Sequence, residues 1–311
     1  MKSTQLPRVS VGVPVYNGER YLAQTLDSLL SQTFDDFEII VCDNASTDLT
    51  ETICRTYAAQ DARIRYVRNV VNLGASENYR RVLELSSGEY FRWANSDDLS
   101  SPEALARCVK ILDQEPAVVL SYPKTTLIDD HGNFISEYED GLNLQSPHAY
   151  ERFAQAFTNV GLVHVIYGLM RSKALRQTKL LRNFPGGDIP LVLELALYGR
   201  FWEIPERLFY CRIHGTSSSS YGHDVTRTQE FFDPKTKGHI FLRSWRHLMA
   251  HCGSVLRAPI GIVGKCRLVL YLARTAVWTR GILMRELADT VNILIRKIVS
   301  IAGKFFSAAS H

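Results

Sequence analysis

The sequence predicts an α/β protein: a mainly parallel, doubly wound sheet flanked by helices. Three observations carry that prediction. Strand and helix patterns alternate through the first hundred residues, the strand pattern at 37–42 is an apolar run broken only by Glu38 while 90–94 reads as a buried strand, and each strand runs into a polar turn. Ligands of such sheets bind beyond the carboxyl ends of the strands, so those turns mark where a site is expected.

Taken in order, VSVGVPV at 9–15 reads as the first strand. Asn17 is placed to cap a helix over 18–31, where Tyr21, Leu22, Thr25, Leu26, Leu29 and Leu30 form one stripe. The second unit repeats the first: a strand at 37–42, a polar turn at 43–47 and a helix to about 60. A third strand at 64–67 is followed by Asn72, Gly74 and a helix to about 85. Gly88 then breaks that helix ahead of the fourth strand. The turns therefore bring Pro14, Tyr16 and Asn17, then Asp43, Asn44 and Ser46, then Asn72 and Gly74, and finally Asp97 and Asp98 to one edge. No GxGxxG or GxxxxGK[ST] follows the first strand, which disfavours a dinucleotide site and a P-loop.

The centre of the pattern is GEYFRWANSDDL at 88–99, a buried strand that delivers two adjacent carboxylates. Neighbouring carboxylates repel and are costly to bury unless a cation or strong donors neutralise them. Oxygen ligation favours a hard ion, Mn2+ or Mg2+, with positions left open for a diphosphate. Helix capping by Asp97 or Asp98, or by Ser100 and Ser101 ahead of Pro102, is the competing reading.

The 311 residues suffice for a sizeable core, and the six cysteines have no CxxC spacing, so they are read as buried, reduced thiols of a cytoplasmic protein. MKSTQLPR carries no apolar leader, and no run of about 18 apolar residues marks a membrane span. The net charge of +4 is unevenly placed: from residue 238 onward eleven lysines and arginines face two acids, a local +9 against −5 for the rest.

Two segments, VSVGVPVYNGERYLAQTLDSLLSQTFDDFEIIVCDNASTDLT and NLGASENYRRVLELSSGEYFRWANSDDL, resemble the amino-terminal half of glycosyltransferase family 2. These are inverting nucleotide-sugar transferases with the Rossmann-like GT-A fold, and the WANSDDL form is similar to a bacterial branch. The resemblance covers about residues 8–220. It implies that Pro14, Tyr16 and Asp43 hold the nucleotide, with Asn17, Asn72, Gly74, Asn95 and Asp97 lining the donor site. A carboxylate can accept a base N–H and a ring can cover the base face; core packing for Tyr16 and a turn role for Asp43 are the plain alternatives. The family's D-x-D-D reads Asn95-Ser96-Asp97-Asp98 here, so an amide replaces the first acid. The resemblance makes Asp97, Asp98 and His214 the metal set, with Asp98 favoured as the direct ligand.

Downstream, a helix to about 112, a strand at 117–122 and a hairpin in LIDDHGNFI extend the sheet, with Gly132 and Asn133 suited to positive φ and Asp129 and Asp130 read as turn formers. FPGGDIPLVLELALYGRF places Asp188 at the start of an apolar helix, where the family carries its general base, usually after an acid that Gly187 replaces here. A helix cap is the alternative for Asp188. The serine run at 217–220 suggests a mobile loop over the donor.

The domain expectation is a GT-A unit over 1–237, its donor half about 8–122 and its acceptor half about 123–237, followed by a helical, basic, amphipathic extension at 238–311. That extension suits an anionic membrane surface on the inner face of the cell membrane, or packing against the sheet or a second subunit. No recognition motif points to nucleic acid. The expected activity is metal-dependent transfer of one sugar from a UDP-sugar or related donor to a glycan or lipid-linked hydroxyl, in cell-surface polysaccharide or glycolipid assembly. No QxxRW-type segment supports processive synthesis. A non-catalytic carbohydrate-binding scaffold and a sugar-phosphate nucleotidyltransferase are the rivals.

Overall fold

A computed structural model describes residues 6–215, 225–234 and 242–308. Strands β1 (Val9–Val15), β2 (Phe37–Asp43), β3 (Ile64–Arg68) and β4 (Tyr90–Trp93) alternate with helices α1 (Leu22–Leu30), α2 (Thr50–Gln60) and α3 (Ala75–Glu84). The four strands pair in parallel in the order β3-β2-β1-β4. All of β1 and β4 is buried, because helices cover both faces. On one face Leu22, Leu26 and Leu29 of α1 pack with Val11, Val13 and Ile39; each fully buried leucine contributes about 1.5–3 kcal/mol. On the other, Val82 of α3 packs with Phe91 and Trp93. Gly12 permits that approach, since a Cβ there would lie 2.7 Å from Val82 Cγ2.

The second half contains β5 (Leu99–Ser100), α4 (Ala104–Gln114), β6 (Val118–Ile128), β7 (Phe134–Tyr138), α5 (Ala149–Asn159), a 3-10 turn (His164–Tyr167), β8 (Leu169–Arg171), α6 (Ser172–Leu175), α7 (Asp188–Tyr198) and β9 (Arg200–Arg212). The sheet continues β4-β8-β6-β9-β5, with β7 added on β6. β6 and β9 are parallel, whereas β8 runs antiparallel to both of its neighbours. β6 extends past the expected end at Tyr122 to Ile128, with register shifts around Lys124 just after Pro123. The following turn needs only one positive φ, at Gly132 and not at Asn133, because Asp129 Oδ1 accepts the N–H groups of His131 and Asn133 at 2.8 Å.

Helices α8 (Val225–Phe232), α9 (Arg243–Arg257), α10 (Ile262–Trp278) and α11 (Arg280–Ala308) complete the described chain. The change of composition near residue 238 is not a break in packing. Glu194 of α7, 1% exposed, is ion-paired with Arg257 of α9 at 3.0 Å, and Leu268 and Leu272 of α10 are buried in the same core as α7. Among the described residues no helix is long and apolar enough to cross a membrane. All six cysteines are free; Cys42, Cys54 and Cys108 are buried, but Cys266 is exposed, against the expectation of buried thiols. The serine run at 217–220 lies outside the described residues.

Candidate active site

The parallel register sets the carboxyl ends of the first strands level, with Val15 beside Asp43 and Asp43 beside Arg68. The turns beyond them are stitched together. Asn17 donates its N–H to Ser46 Oγ at 2.9 Å, Gly18 donates to Thr50 Oγ1 at 2.8 Å, and Asn17 Oδ1 accepts the Thr47 N–H at 2.8 Å. The cap expected of Asn17 does not form: α1 begins at Leu22 with no side-chain cap bond, because Asn17 takes a left-handed φ of 53° and turns its amide to the neighbouring loop. Pro14 is buried inside β1, opposite Cys42. Tyr16 is 48% exposed, so core packing does not account for it.

Asp43 is fully buried. Its Oδ1 accepts the Ser46 N–H at 2.8 Å, and its Oδ2 accepts from Tyr66 Oη at 2.9 Å and from Arg68 at 2.6 Å. A base N–H can reach this carboxylate only if the exposed Arg68 moves. Behind it lies an asparagine network. Asn44 joins Asn72 at 2.8 Å and Asn69 at 3.0 Å, Asn69 joins Asn78 at 3.0 Å, and Asn78 donates to Cys42 O at 2.9 Å. Asn72 also accepts the Gly74 N–H at 2.8 Å. Gly74, with φ 84°, starts α3, and a Cβ there would lie 2.6 Å from Phe232 O. Asn72 and Gly74 thus brace the turn after β2 against α3.

The acidic turn sorts its two carboxylates. Asp98 points inward: it is 4% exposed, Oδ2 accepts from Asn95 Nδ2 at 2.9 Å, and Oδ1 accepts the Arg212 N–H at 2.8 Å. Burial, with the charge of Asp97 beside it, pushes the Asp98 carboxyl up to about 8. Asp97 is the more open of the two, its side chain 26% exposed, and its Oδ2 lies 2.9 Å from His214 Nε2. His214 packs against Tyr21 with ring centroids 5.0 Å apart. The amide of Asn95 also accepts a hydrogen bond from Tyr79 Oη. The acid missing from the family pattern is thereby replaced by a group that can donate to Asp98 and accept from Tyr79 at once, which a carboxylate cannot do.

Asp188 is the first residue of α7 and half-buried, and its Oδ1 accepts the Ile189 N–H at 2.9 Å. Burial raises its pKa, opposed by the backbone N–H groups of the helix start and by the charge of Arg243. Gly187 is required by space: a Cβ there would lie 2.1 Å from Arg182 O, so this turn has no room for the acid usual at that position. The turn is held from outside by α9, whose His247 Nε2 donates to Pro185 O at 3.1 Å while its ring meets Phe184 edge-on.

Helix α3 runs between the turn after β2 and the acidic turn. Asn78 faces the turn after β2, and its neighbour Tyr79 faces the acidic turn. Burial raises the Tyr79 phenol, and the charges of Asp97, Asp98 and Asp188 all raise it further, so one ring senses all three acids. Sequence reasoning missed Tyr79, Arg68, Arg243 and His247, none of which stands in a recognisable pattern. It also missed Arg212, 2% exposed, which donates to Asp97 O at 2.9 Å, to Asp129 O and Asp130 O at 3.1 Å and to Gln24 Oε1 at 2.9 Å. Its place two residues before His214 was the available signal. Among the described residues no cluster of three or more His, Cys, Asp or Glu side chains is set to hold a metal by itself. A hollow of about 410 Å³ lined by His148, Tyr150, Ile260 and Arg267 lies at α5 and α10, away from these acids.

With this geometry in place, residues 10–178 match the sequence model of the family described as "Glycosyl transferase family 2". The chain is 30% identical over 228 residues to an "Uncharacterized glycosyltransferase" of Haemophilus influenzae, covering 71% of each. It is 26% identical to a "Chondroitin synthase" of Escherichia coli, where the match covers 73% of this chain but 32% of that protein. Among solved structures, S. aureus TarS 1-349 in complex with UDP-GlcNAc superposes with a TM-score of 0.63 at 18% identity, covering 91% of this chain and 80% of that 1-349 chain. The Pyrobaculum calidifontis mannosyltransferase PcManGT in complex with GDP-Man and Mn2+ gives 0.54 at 18% identity, covering 96% and 81%. At such identities these likenesses concern the fold, which is GT-A-like.

Proposed function

The chain belongs to glycosyl transferase family 2, and from that membership we propose a metal-dependent, inverting transfer of one sugar from a nucleoside-diphosphate sugar to a hydroxyl acceptor. The observation that carries the reading is the 2.9 Å approach of Asp97 Oδ2 to His214 Nε2, beside an Asp98 already engaged by Asn95 and Arg212. A carboxylate oxygen and an imidazole nitrogen this close could both reach one ion, and the mixed O and N pair suits Mn2+ better than Mg2+, which prefers oxygen throughout. Asp97 and His214 would hold the ion, and Asp98 shapes the turn from behind. When bound, such a cation offsets the charge that develops on a leaving diphosphate. A mannosyltransferase of similar fold was solved with GDP-Man and Mn2+, in keeping with a divalent ion here.

Asp188 takes the proton from the acceptor hydroxyl as its oxygen attacks the anomeric carbon. The bond from that carbon to the diphosphate oxygen breaks on the opposite side, which inverts the configuration. Burial raises the proton affinity of Asp188, opposed by the backbone N–H groups at the helix start and by Arg243, which makes it a stronger base than a solvated carboxylate. Tyr16 covers the nucleobase, and Asp43 accepts from it once Arg68 swings aside. A UDP-sugar is the proposed donor, in keeping with the UDP-GlcNAc complex of TarS. Residues 8–122 form the donor half and 123–237 the acceptor half, and a glycan or lipid-linked hydroxyl is the acceptor.

The test is turnover of a nucleotide-sugar panel with Mn2+, reading both products. Free nucleoside diphosphate with an inverted glycoside is expected, and Asp188→Asn lowers kcat by about 10²–10⁴ while donor binding persists. Release of pyrophosphate identifies a nucleotidyltransferase instead. Donor binding without turnover identifies a carbohydrate-binding scaffold, and either result overturns the proposal.

A further inference from the structure

Helix α10 is apolar on two opposite sides. One side carries Leu268 and Leu272, which are buried in the core shared with α7. The other faces solvent: Ile262 is 73% exposed, Val263 64%, Leu270 70% and Val277 63%. At 100° per residue the outward apolar positions 262, 263, 266, 269, 270, 273 and 277 fill a sector of about 120° that contains no charged residue. Arg267 and Arg274 fall at one border of that sector, and Trp278, 85% exposed, falls just beyond them.

Helix α11 repeats the design. Met284, Val291 and Ile295 are exposed at spacings of seven and four, with Arg285 beside them. The acid Glu286 is engaged in holding the start of α9, where it accepts from Ser244 N–H and Oγ. Asp289 is the exposed acid of α11, set against the exposed Arg267, Arg274, Arg280 and Arg285, so the exposed charges around these faces are mostly positive.

We infer that the outward faces of α10 and α11 seat this protein on an anionic lipid bilayer surface, lying in the headgroup region. Three physical points select that occupant. An exposed apolar sector of about 120° set against a charged border is the pattern of a helix lying in the interface plane of a bilayer. Arginines at the border of the sector match anionic headgroups, and a tryptophan at the same border is the side chain that prefers that depth. A second copy of the chain meeting this one through the same face would bring arginine borders together, which opposes a symmetric dimer. The inference goes beyond the transfer reaction and holds whether or not the active-site assignment does.

The test is flotation of the full chain with vesicles of phosphatidylglycerol and phosphatidylcholine against pure phosphatidylcholine. The anionic vesicles are expected to bind at least ten-fold more protein, with loss in 0.5 M salt and a blue shift of tryptophan emission. Leu270→Glu with Val277→Glu, and separately Arg267→Glu with Arg274→Glu, are expected to reduce binding at least ten-fold. Both sets change exposed positions, so thermal melting stays within a degree or two of the parent and shows that the fold is intact. Equal binding by parent and variants, or no binding to anionic vesicles, overturns the inference. So does a dimer in light scattering that the glutamate variants dissolve, because the face is then covered by a second copy.

Discussion

Arg257→Met is the sharpest test of how the carboxyl-terminal helices belong to the catalytic unit. Glu194 lies on α7, the helix that begins with Asp188, and is 1% exposed. Arg257 grips it with Nε at 3.1 Å and Nη2 at 3.0 and 3.1 Å, while Ser254 Oγ and the Lys179 N–H donate the remaining bonds at 3.1 and 3.4 Å. Removing the guanidinium strands a carboxylate in the core with only neutral donors, which costs about 3–5 kcal/mol. For a chain of this size each kcal/mol lowers Tm by about 2 °C, so a fall of about 6–10 °C is expected in calorimetry. Combining it with Glu194→Leu removes the stranded charge and fills the space, and most of the loss is recovered. A loss below about 1 kcal/mol for Arg257→Met, or a double variant as unstable as the single one, refutes the claim that α9 and α7 share one core.

Asp140, 7% exposed, has its carboxyl pushed up to about 6 by burial, despite bonds from Tyr138 Oη and the Val165 N–H. Its folded pKa exceeds the unfolded value near 4, so its stabilising contribution is complete below about pH 4 and is lost as pH rises through 6, a swing of about 3 kcal/mol. Asp140→Asn is expected to flatten urea-denaturation stability between pH 4 and 7, and an unchanged slope counts against the assignment. Gly187→Ala places a methyl against Arg182 O and is expected to cost about 1–3 kcal/mol with a fall in kcat, read by calorimetry and turnover. Arg243→Gln removes a charge that lowers the Asp188 pKa, so the rising limb of kcat/KM against pH moves to higher pH; an unmoved limb excludes Asp188 as the group that titrates.

What the sequence reveals here follows from periodicity. The four parallel strands and three helices are legible because apolar runs and stripes report local burial, and Gly88 and Pro102 punctuate them. Side-chain direction is a different matter. Asn17 looks like a helix cap in one dimension, but a left-handed φ turns it toward the loop after β2, 30 residues away. Asp97 and Asp98 are indistinguishable as neighbours in sequence, and only the position of Arg212, 114 residues beyond Asp98, decides which one faces inward. The same holds for His247 and Arg243, which reach the Asp188 turn from a helix whose composition had set it apart from the catalytic unit. Contacts between distant segments are invisible to patterns that read one window at a time.

The central claim is that Asp97 and His214 form the cation seat of a nucleotide-sugar site. Anomalous diffraction from Mn2+ in crystals grown with UDP tests it most directly. The account predicts one peak within coordination distance of Asp97 Oδ2 and His214 Nε2, with the nucleotide's phosphates beside it and the 2.9 Å contact between the two side chains opened. UDP bound with its Mn2+ peak at other side chains, or with no peak at all, contradicts it.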